Sequence, residues 1–472
     1  MRSSRLAVST LLLLGAMGCG GQRGAPSAPT YRISGTVSGG AVSGVTVSLT
    51  GSQSATTTTD ASGDFSFGGL ANGTYGVTLA WPGYVFAPVL SSVTISGADV
   101  SGLAFAGIAI AAPAPNVMAV TVNGALCLPT AYDNEPCVSV TVCSPSTAQC
   151  QAIDGILLDT GSVGLRIFQG ALTVALTPVA SGSGTLAECV QFGSSADWGP
   201  IEMASVVLGG ETAVSLPIQV IDSSFAAAPA LCAHADVAPA AAGFNGILGI
   251  GLSAQDCGTA CASAESSWYY SCGAGGCSQV PAAAPDQVPN PVVSLTQDNN
   301  GFILELPGVP TGGATSVSGA LVLGIGTQSN NGVPSGVKAY PVDGNGEFRT
   351  LLGGATYPAR LDTGSNALFF PTSPESPPVC SSFSSWYCPS SPVDITATNL
   401  GPEGSPNNPI TFPVADFESV VGGSKSVFGD IAGPSEAAEG FIWGLPFFLG
   451  RCVYFGPSGT ASSLSTGPYV AY

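Results

Sequence analysis

The sequence predicts an all-β chain: a small β-sandwich followed by two similar β-rich lobes. Three observations carry this. Short alternations of apolar and polar residues recur along the chain between turns rich in Gly and Asn, without long helical periodicity. Charged residues are only 8% of 472, while Gly reaches 64, which suits extended strands and tight turns. The tetrapeptide Asp-Thr-Gly-Ser occurs twice, beginning at Asp159 and at Asp362, each time behind an apolar run. Such a repeat points to two half-domains that each offer one carboxylate.

The N-terminus reads as an export signal. Arg2 and Arg5 precede the apolar run from Leu11 to Leu14, and Ala16-Met17-Gly18-Cys19 is similar to a lipobox. Residues 1–18 are expected to be a lipoprotein signal peptide, Cys19 the lipidation site and residues 19–30 a flexible linker. The apolar run is too short to span a bilayer. Gly20 rather than Asp follows Cys19, which points to the outer membrane or cell surface of a bacterium.

Residues 31–109 alternate as a sandwich does. Strands are expected at Ile33–Val37 and Val45–Leu49, and Asp60–Asp64 is a hairpin turn before Phe65 and Phe67. Asp60 and Asp64 lack the further ligands a calcium loop needs. The signatures Thr59-Asp60-x-x-Gly63 and Leu70-x-x-Gly73-x-Tyr75 resemble the carboxypeptidase-regulatory, transthyretin-like sandwich, which implies a spacer or adhesive role. Residues 110–116, rich in Ala and Pro, form a linker. Residues 117–312 and 313–472 are the two lobes. Turns are expected at Asp298–Gly301, Asn330–Gly332 and Asp343–Gly346. Gly324-Ile325-Gly326 is too short for a nucleotide fingerprint and reads as a turn that ends a strand.

Composition removes several chemistries. The net charge is −19, and losing Arg2 and Arg5 leaves eight bases against 29 acids, or −21. Nucleic acid and anionic lipid would repel such a surface. His234 is the only histidine and lies in an Ala/Pro-rich stretch, so it reads as a surface loop residue. No Gly-x-Ser-x-Gly elbow accompanies it, and a His-based zinc site fails by count. No metal or cofactor is expected. The 14 cysteines fit an oxidising compartment. Cys143 with Cys150, Cys272 with Cys277, and Cys380 with Cys388 look like local staples, and Cys257 lies near Cys261. Cys452, in an apolar run, is the expected free thiol. Connectivity stays open.

Catalysis would then rest on carboxylates. Each apolar run reads as a buried strand that delivers its Asp at the strand end. Gly161 and Gly364 permit a sharp turn, Thr160 and Thr363 can donate across to the partner lobe, and Ser162 and Ser365 can hydrogen-bond the carboxylates. Two facing carboxylates can share a proton and activate water. Serine at both positions favours an acidic optimum.

These segments resemble those of pepsin-like aspartic proteases, and the likeness covers most of residues 116–472. Phe244-Asn245-Gly246-Ile247-Leu248-Gly249-Ile250-Gly251 and Phe441-Ile442-Trp443-Gly444 match the family's hydrophobic-hydrophobic-Gly segments. Val453-Tyr454-Phe455 matches the strand that follows, and Gly319–Gly324 the opening strand of the second lobe. The spacing between Asp159 and Asp362 suits a bilobal single chain. The resemblance implies a pepsin-like double β-barrel acting as a monomer, with a polypeptide in the interlobe cleft. Phe192-Gly193 through Trp198 to Gly209-Gly210 is similar to the family's flap hairpin. Phe192 replaces the flap Tyr, and Arg166 replaces the Trp that usually partners it. Losing both partners of one hydrogen bond costs less than losing one. The flap is therefore expected to be anchored differently, through Arg166 on Phe192 or Trp198. Asp159–Arg166, Thr327–Asn331 and Gly444–Phe448 also resemble a bacterial secreted family known only as a domain of unknown function. The leading expectation is an aspartic endopeptidase. A peptide- or glycan-binding protein without catalysis and a structural surface lipoprotein are the alternatives.

Overall fold

A computed structural model describes residues 29–472, except 41, 82, 111, 112, 148, 194, 375 and the side chains of 212–214. The expected signal peptide 1–18, the expected lipidation site Cys19 and residues 20–28 of the expected linker lie outside the described residues. Among those described, strands dominate, and no helix exceeds five residues.

The first unit is built from two four-stranded sheets. One runs Asp64–Leu70, Tyr31–Gly39, Val100–Ala109, Tyr84–Ala87, and the other Ala55–Thr58, Thr46–Gly51, Gly73–Ala80, Leu90–Ile95. Alternation places Ile33, Val37, Val47, Val77 and Phe105 in a common core. The Asp60 carboxylate caps its own turn, accepting the amides of Ser62 (2.8 Å) and Asp64 (3.0 Å). Asp343 repeats the device with the amides of Asn345 (2.8 Å) and Glu347 (3.0 Å).

The second unit repeats one motif. In its first half, Cys150–Asp159 runs parallel to Gly246–Ile250, with Asp159 opposite Gly249. Gly246–Ile250 also pairs antiparallel with Val163–Phe168. In the second half, Ala355–Leu361 runs parallel to Phe441–Trp443, which pairs antiparallel with Leu368–Pro371. Each returning strand then pairs in parallel with a further one, Glu211–Ile221 and Ala432–Ser435 respectively. Two copies of this weave make the two lobes.

The lobes are joined by backbone pairing. Val117–Val122 lies antiparallel to Val317–Leu323, which continues through Phe302–Leu306 to Arg451–Gly456. These bridging strands close a hydrogen-bonded circuit with the first lobe, and the second lobe keeps an open seven-stranded sheet. One apolar core runs through both, from Ile156 and Leu248 to Leu361, Phe441 and Trp443. Burial on this scale is the main stabilising term.

All four close cysteine pairs are disulfides: Cys143–Cys150, Cys257–Cys261, Cys272–Cys277 and Cys380–Cys388. Two more, Cys127–Cys137 and Cys189–Cys232, were not legible from spacing. Cys452 is the free thiol among the described residues, and burial, then the charge of Glu305, pushes its pKa up. His234 is exposed in a turn.

Candidate active site

The two Asp-Thr-Gly-Ser loops meet between the lobes. Leu158 and Asp159 end a strand whose last five residues are buried. Beneath the loop, Gly251 N–H donates to Ser162 O (2.7 Å), and in the other lobe Leu445 N–H donates to Ser365 O (2.8 Å). Asp362 N–H donates to Trp443 O (3.1 Å). Each Gly segment thus supports the loop above it.

The threonines lock the loops together. Thr160 N–H donates to Thr363 Oγ1 (3.0 Å), and Thr363 N–H donates to Thr160 Oγ1 (3.0 Å). The Thr160 hydroxyl donates to Leu361 O (3.2 Å) and the Thr363 hydroxyl to Leu158 O (2.6 Å). Both threonines are buried. Each therefore satisfies its own polar groups only through the opposite lobe.

The glycines bring the acids close. A Cβ on Gly161 would stand 2.6 Å from Asp362 Cγ, and one on Gly364 would stand 2.8 Å from Asp159 Oδ1. Any side chain at either position would collide with the partner's carboxyl. Asp159 Oδ1 accepts Gly161 N–H (2.7 Å), and Oδ2 accepts the Ser162 hydroxyl (2.5 Å). Asp362 Oδ1 accepts the amides of Gly364 (2.9 Å) and Ser365 (3.2 Å), and Oδ2 accepts the Ser365 hydroxyl (2.7 Å). Burial, then the charge of Asp362, raises the Asp159 pKa to about 7, against the lowering hydrogen bonds of Ser162 and Gly161. The pair thus holds a proton up to near neutrality.

The hairpin of Gly184–Phe192 and Ser195–Leu208 pairs Phe192 with Ser195 at its tip, next to Gly193. Arg166 anchors it from below. Its guanidinium lies 5.9 Å from the Phe192 ring centre. Nη1 donates to Val163 O (2.7 Å), and Nη2 donates to Glu188 Oε1 (3.0 Å) and Asp256 Oδ2 (3.1 Å). The Tyr269 hydroxyl donates to Asp256 Oδ2 (2.9 Å). Arg166 and Glu188 are 1% and 0% exposed, so this charge cluster is dry. Of the two aromatic partners expected for Arg166, Phe192 is the one it meets. Trp198 packs against Phe225 and Tyr270 and donates through Nε1 to Ala226 O (3.0 Å). Strand alternation is the reason: Asp197, whose pKa burial lifts to about 7 against the Arg166 charge, occupies the Arg166 side.

Sequence reasoning missed a strap that crosses between the lobes, Tyr132-Asp133-Asn134-Glu135. The Asn134 amide group donates to Asn366 O (2.8 Å) and Phe428 O (2.9 Å), and its Oδ1 accepts Phe428 N–H (2.7 Å). The Tyr132 hydroxyl lies 3.5 Å from Gly364 O. Glu135 is fully buried, and burial raises its pKa to about 8 against the Tyr132 amide that it accepts. The available signal was a run of polar residues directly before the apolar strand Pro136–Cys143. Glu188 and Asp256 were missed as well, although a buried Arg166 requires acids nearby.

Residues 32–106 match the carboxypeptidase regulatory-like domain. Among solved structures, an aspartic proteinase from Irpex lacteus is similar at 16% identity and a TM-score of 0.42, covering 75% of this chain and 96% of its own. No curated protein matches the chain in sequence. Residues 112–472 match the family described as Protein of unknown function (DUF3443), and by this match over most of its length the chain belongs to that family.

Proposed function

We propose that the protein is an aspartic endopeptidase in which Asp159 and Asp362 hydrolyse peptide bonds through one activated water. The observation that supports this most is the crossed packing of the loops, which sets each carboxyl against the other loop's glycine. In the proposed reaction the pair carries one proton. The ionised carboxylate takes a proton from a water bound between the lobes, and the resulting hydroxide adds to the scissile carbonyl carbon. The other carboxyl donates its proton to the carbonyl oxygen, which yields a gem-diol. The first carboxyl, now protonated, gives that proton to the nitrogen while the other carboxylate takes a proton from the gem-diol, and the C–N bond breaks to leave a carboxylic acid, an amine and the pair with its one proton. Thr160 and Thr363 hold the loops in register, and Ser162 and Ser365 orient the carboxyls.

The chain is further proposed to be exported as a monomer and anchored to the outer membrane or cell surface through lipid at Cys19. Its disulfides fit an oxidising compartment. The regulatory-like sandwich would hold the lobes away from the membrane. A second reading, a peptide-binding protein without turnover, draws on the altered flap, where Phe192 and Arg166 replace the usual pair.

The test is incubation of the full chain with a peptide library from pH 3 to pH 8. Cleavage is expected in acid and should fall as pH rises through about 7, where the shared proton leaves the pair. A statine-containing peptide should block it. Retention of peptides without cleavage across this range would support the binding reading and overturn the enzyme.

A further inference from the structure

We propose that Tyr132 is a catalytic hydrogen-bond donor of this site, its phenol donating to the substrate oxygen that becomes tetrahedral when water adds. The inference rests on the endopeptidase reading above. The phenol keeps its proton throughout, so the step adds a hydrogen bond and no proton transfer to the sequence already described.

Phe192 has no hydroxyl to donate from the flap position. The strap supplies one from another direction. It leaves the first lobe inside a loop closed by Cys127–Cys137. Asn123 ties the loop to itself, its Nδ2 donating to Tyr132 O (2.7 Å) and its Oδ1 accepting Glu135 N–H (3.2 Å). The Tyr132 amide donates to the buried Glu135 carboxyl (3.1 Å). Asn134, at a positive φ of 64°, then bolts the strap to the second lobe through Asn366 and Phe428. An L-residue held in the left-handed region costs free energy that the surroundings must offset. Together these restraints deliver the Tyr132 side chain to the catalytic loop of the opposite lobe.

At its destination the hydroxyl lies 3.5 Å from Gly364 O, at the outer limit of a hydrogen bond. Gly364 is the residue whose Cβ would stand 2.8 Å from Asp159 Oδ1, so the phenol is beside the dyad. A weakly engaged donor can turn to a better acceptor with little loss. The ring packs with Phe192 against the cluster of Phe168, Ile221 and Phe244, and Tyr132 remains half-buried rather than closed off. Burial, then the charges of Glu135, Asp159 and Asp362, raises the phenol pKa well above its usual value. The group therefore stays protonated wherever the dyad could work.

A cycle of two deletions tests this without requiring turnover. A statine-containing peptide and its analogue lacking the statine hydroxyl are titrated into the full chain and into Tyr132→Phe. Losing the hydroxyl should weaken binding about tenfold more in the wild type than in the variant, in line with one oxyanion donor. With a cleavable peptide, Tyr132→Phe should lower kcat on the order of 10²-fold and leave KM within about threefold. Equal losses in both proteins, no binding of the statine peptide, or an unchanged kcat would each overturn the proposal. A wild type that binds the statine peptide and cleaves nothing would sink the endopeptidase reading and with it any catalytic role for Tyr132, while the cycle would still show whether the phenol donates to the tetrahedral oxygen. Circular dichroism of the variant guards against misfolding, since only one oxygen is removed.

Discussion

Asp159→Asn and Asp362→Asn are each expected to reduce peptide cleavage on the order of 10³-fold or more, and the double variant is expected to be little worse. The two acids act as one unit, so removing either removes the shared proton. An Asn oxygen can still accept the Gly161 or Gly364 amide, so the loops should keep their geometry. Stability should move the other way. The folded pKa of Asp159 is raised to about 7, so the unfolded chain releases this proton at lower pH than the native one does. Native stability associated with this group is greatest below its unfolded pKa and falls as pH rises towards 7. A neutral Asn escapes that fall. Asp159→Asn should therefore unfold at a temperature equal to the wild type near pH 4 and higher at pH 8, while losing activity at every pH. Measured rates retaining more than about a tenth of wild-type cleavage would contradict the assigned roles.

Arg166→Met should destabilise the protein by about 3–5 kcal/mol, because it leaves Glu188 and Asp256 buried without their cation. The same change removes the bond to Val163 O, which belongs to the strand leaving the first catalytic loop. Hairpin and loop should loosen together. Urea unfolding of Arg166→Met beside Arg166→Met/Glu188→Gln separates the two effects. The double variant should recover part of the lost stability, since one stranded acid is gone, but not the cleavage rate. Full stability in the single variant would mean that the cluster is not the anchor of the hairpin.

How much of this could be read from residues alone divides along a physical line. Local periodicity and repeated motifs were legible. Ile156 to Asp159 declared a buried strand with a polar end, and Phe244 to Gly251 declared its partner, because alternation and turn chemistry act between near neighbours. The four disulfides between cysteines at most eight residues apart were legible for the same reason. Cys189–Cys232 was not, since the bond joins a hairpin strand to a segment that meets it only after folding. Arg166 was recognised as a departure and Phe192 as a candidate partner, yet its acidic partners were not, because Glu188 and Asp256 are distant in sequence and resemble any other acid in a chain of net charge −19. The Asn134 strap was the largest omission. Its significance lies in contacts with Asn366 and Phe428, more than 200 residues away, which no local pattern announces.

The central claim is that Asp159 and Asp362 form one proton-sharing pair across the lobes. A titration of ¹³C-carboxyl-labelled aspartates by NMR, in the full chain and in Asp362→Asn, tests it most directly. Asp159 is expected to titrate near 7 in the wild type and at lower pH once the Asp362 charge is removed, with burial keeping it above an ordinary carboxyl. An Asp159 signal that titrates near 4 in both proteins, the range of an unperturbed aspartate, would contradict the account.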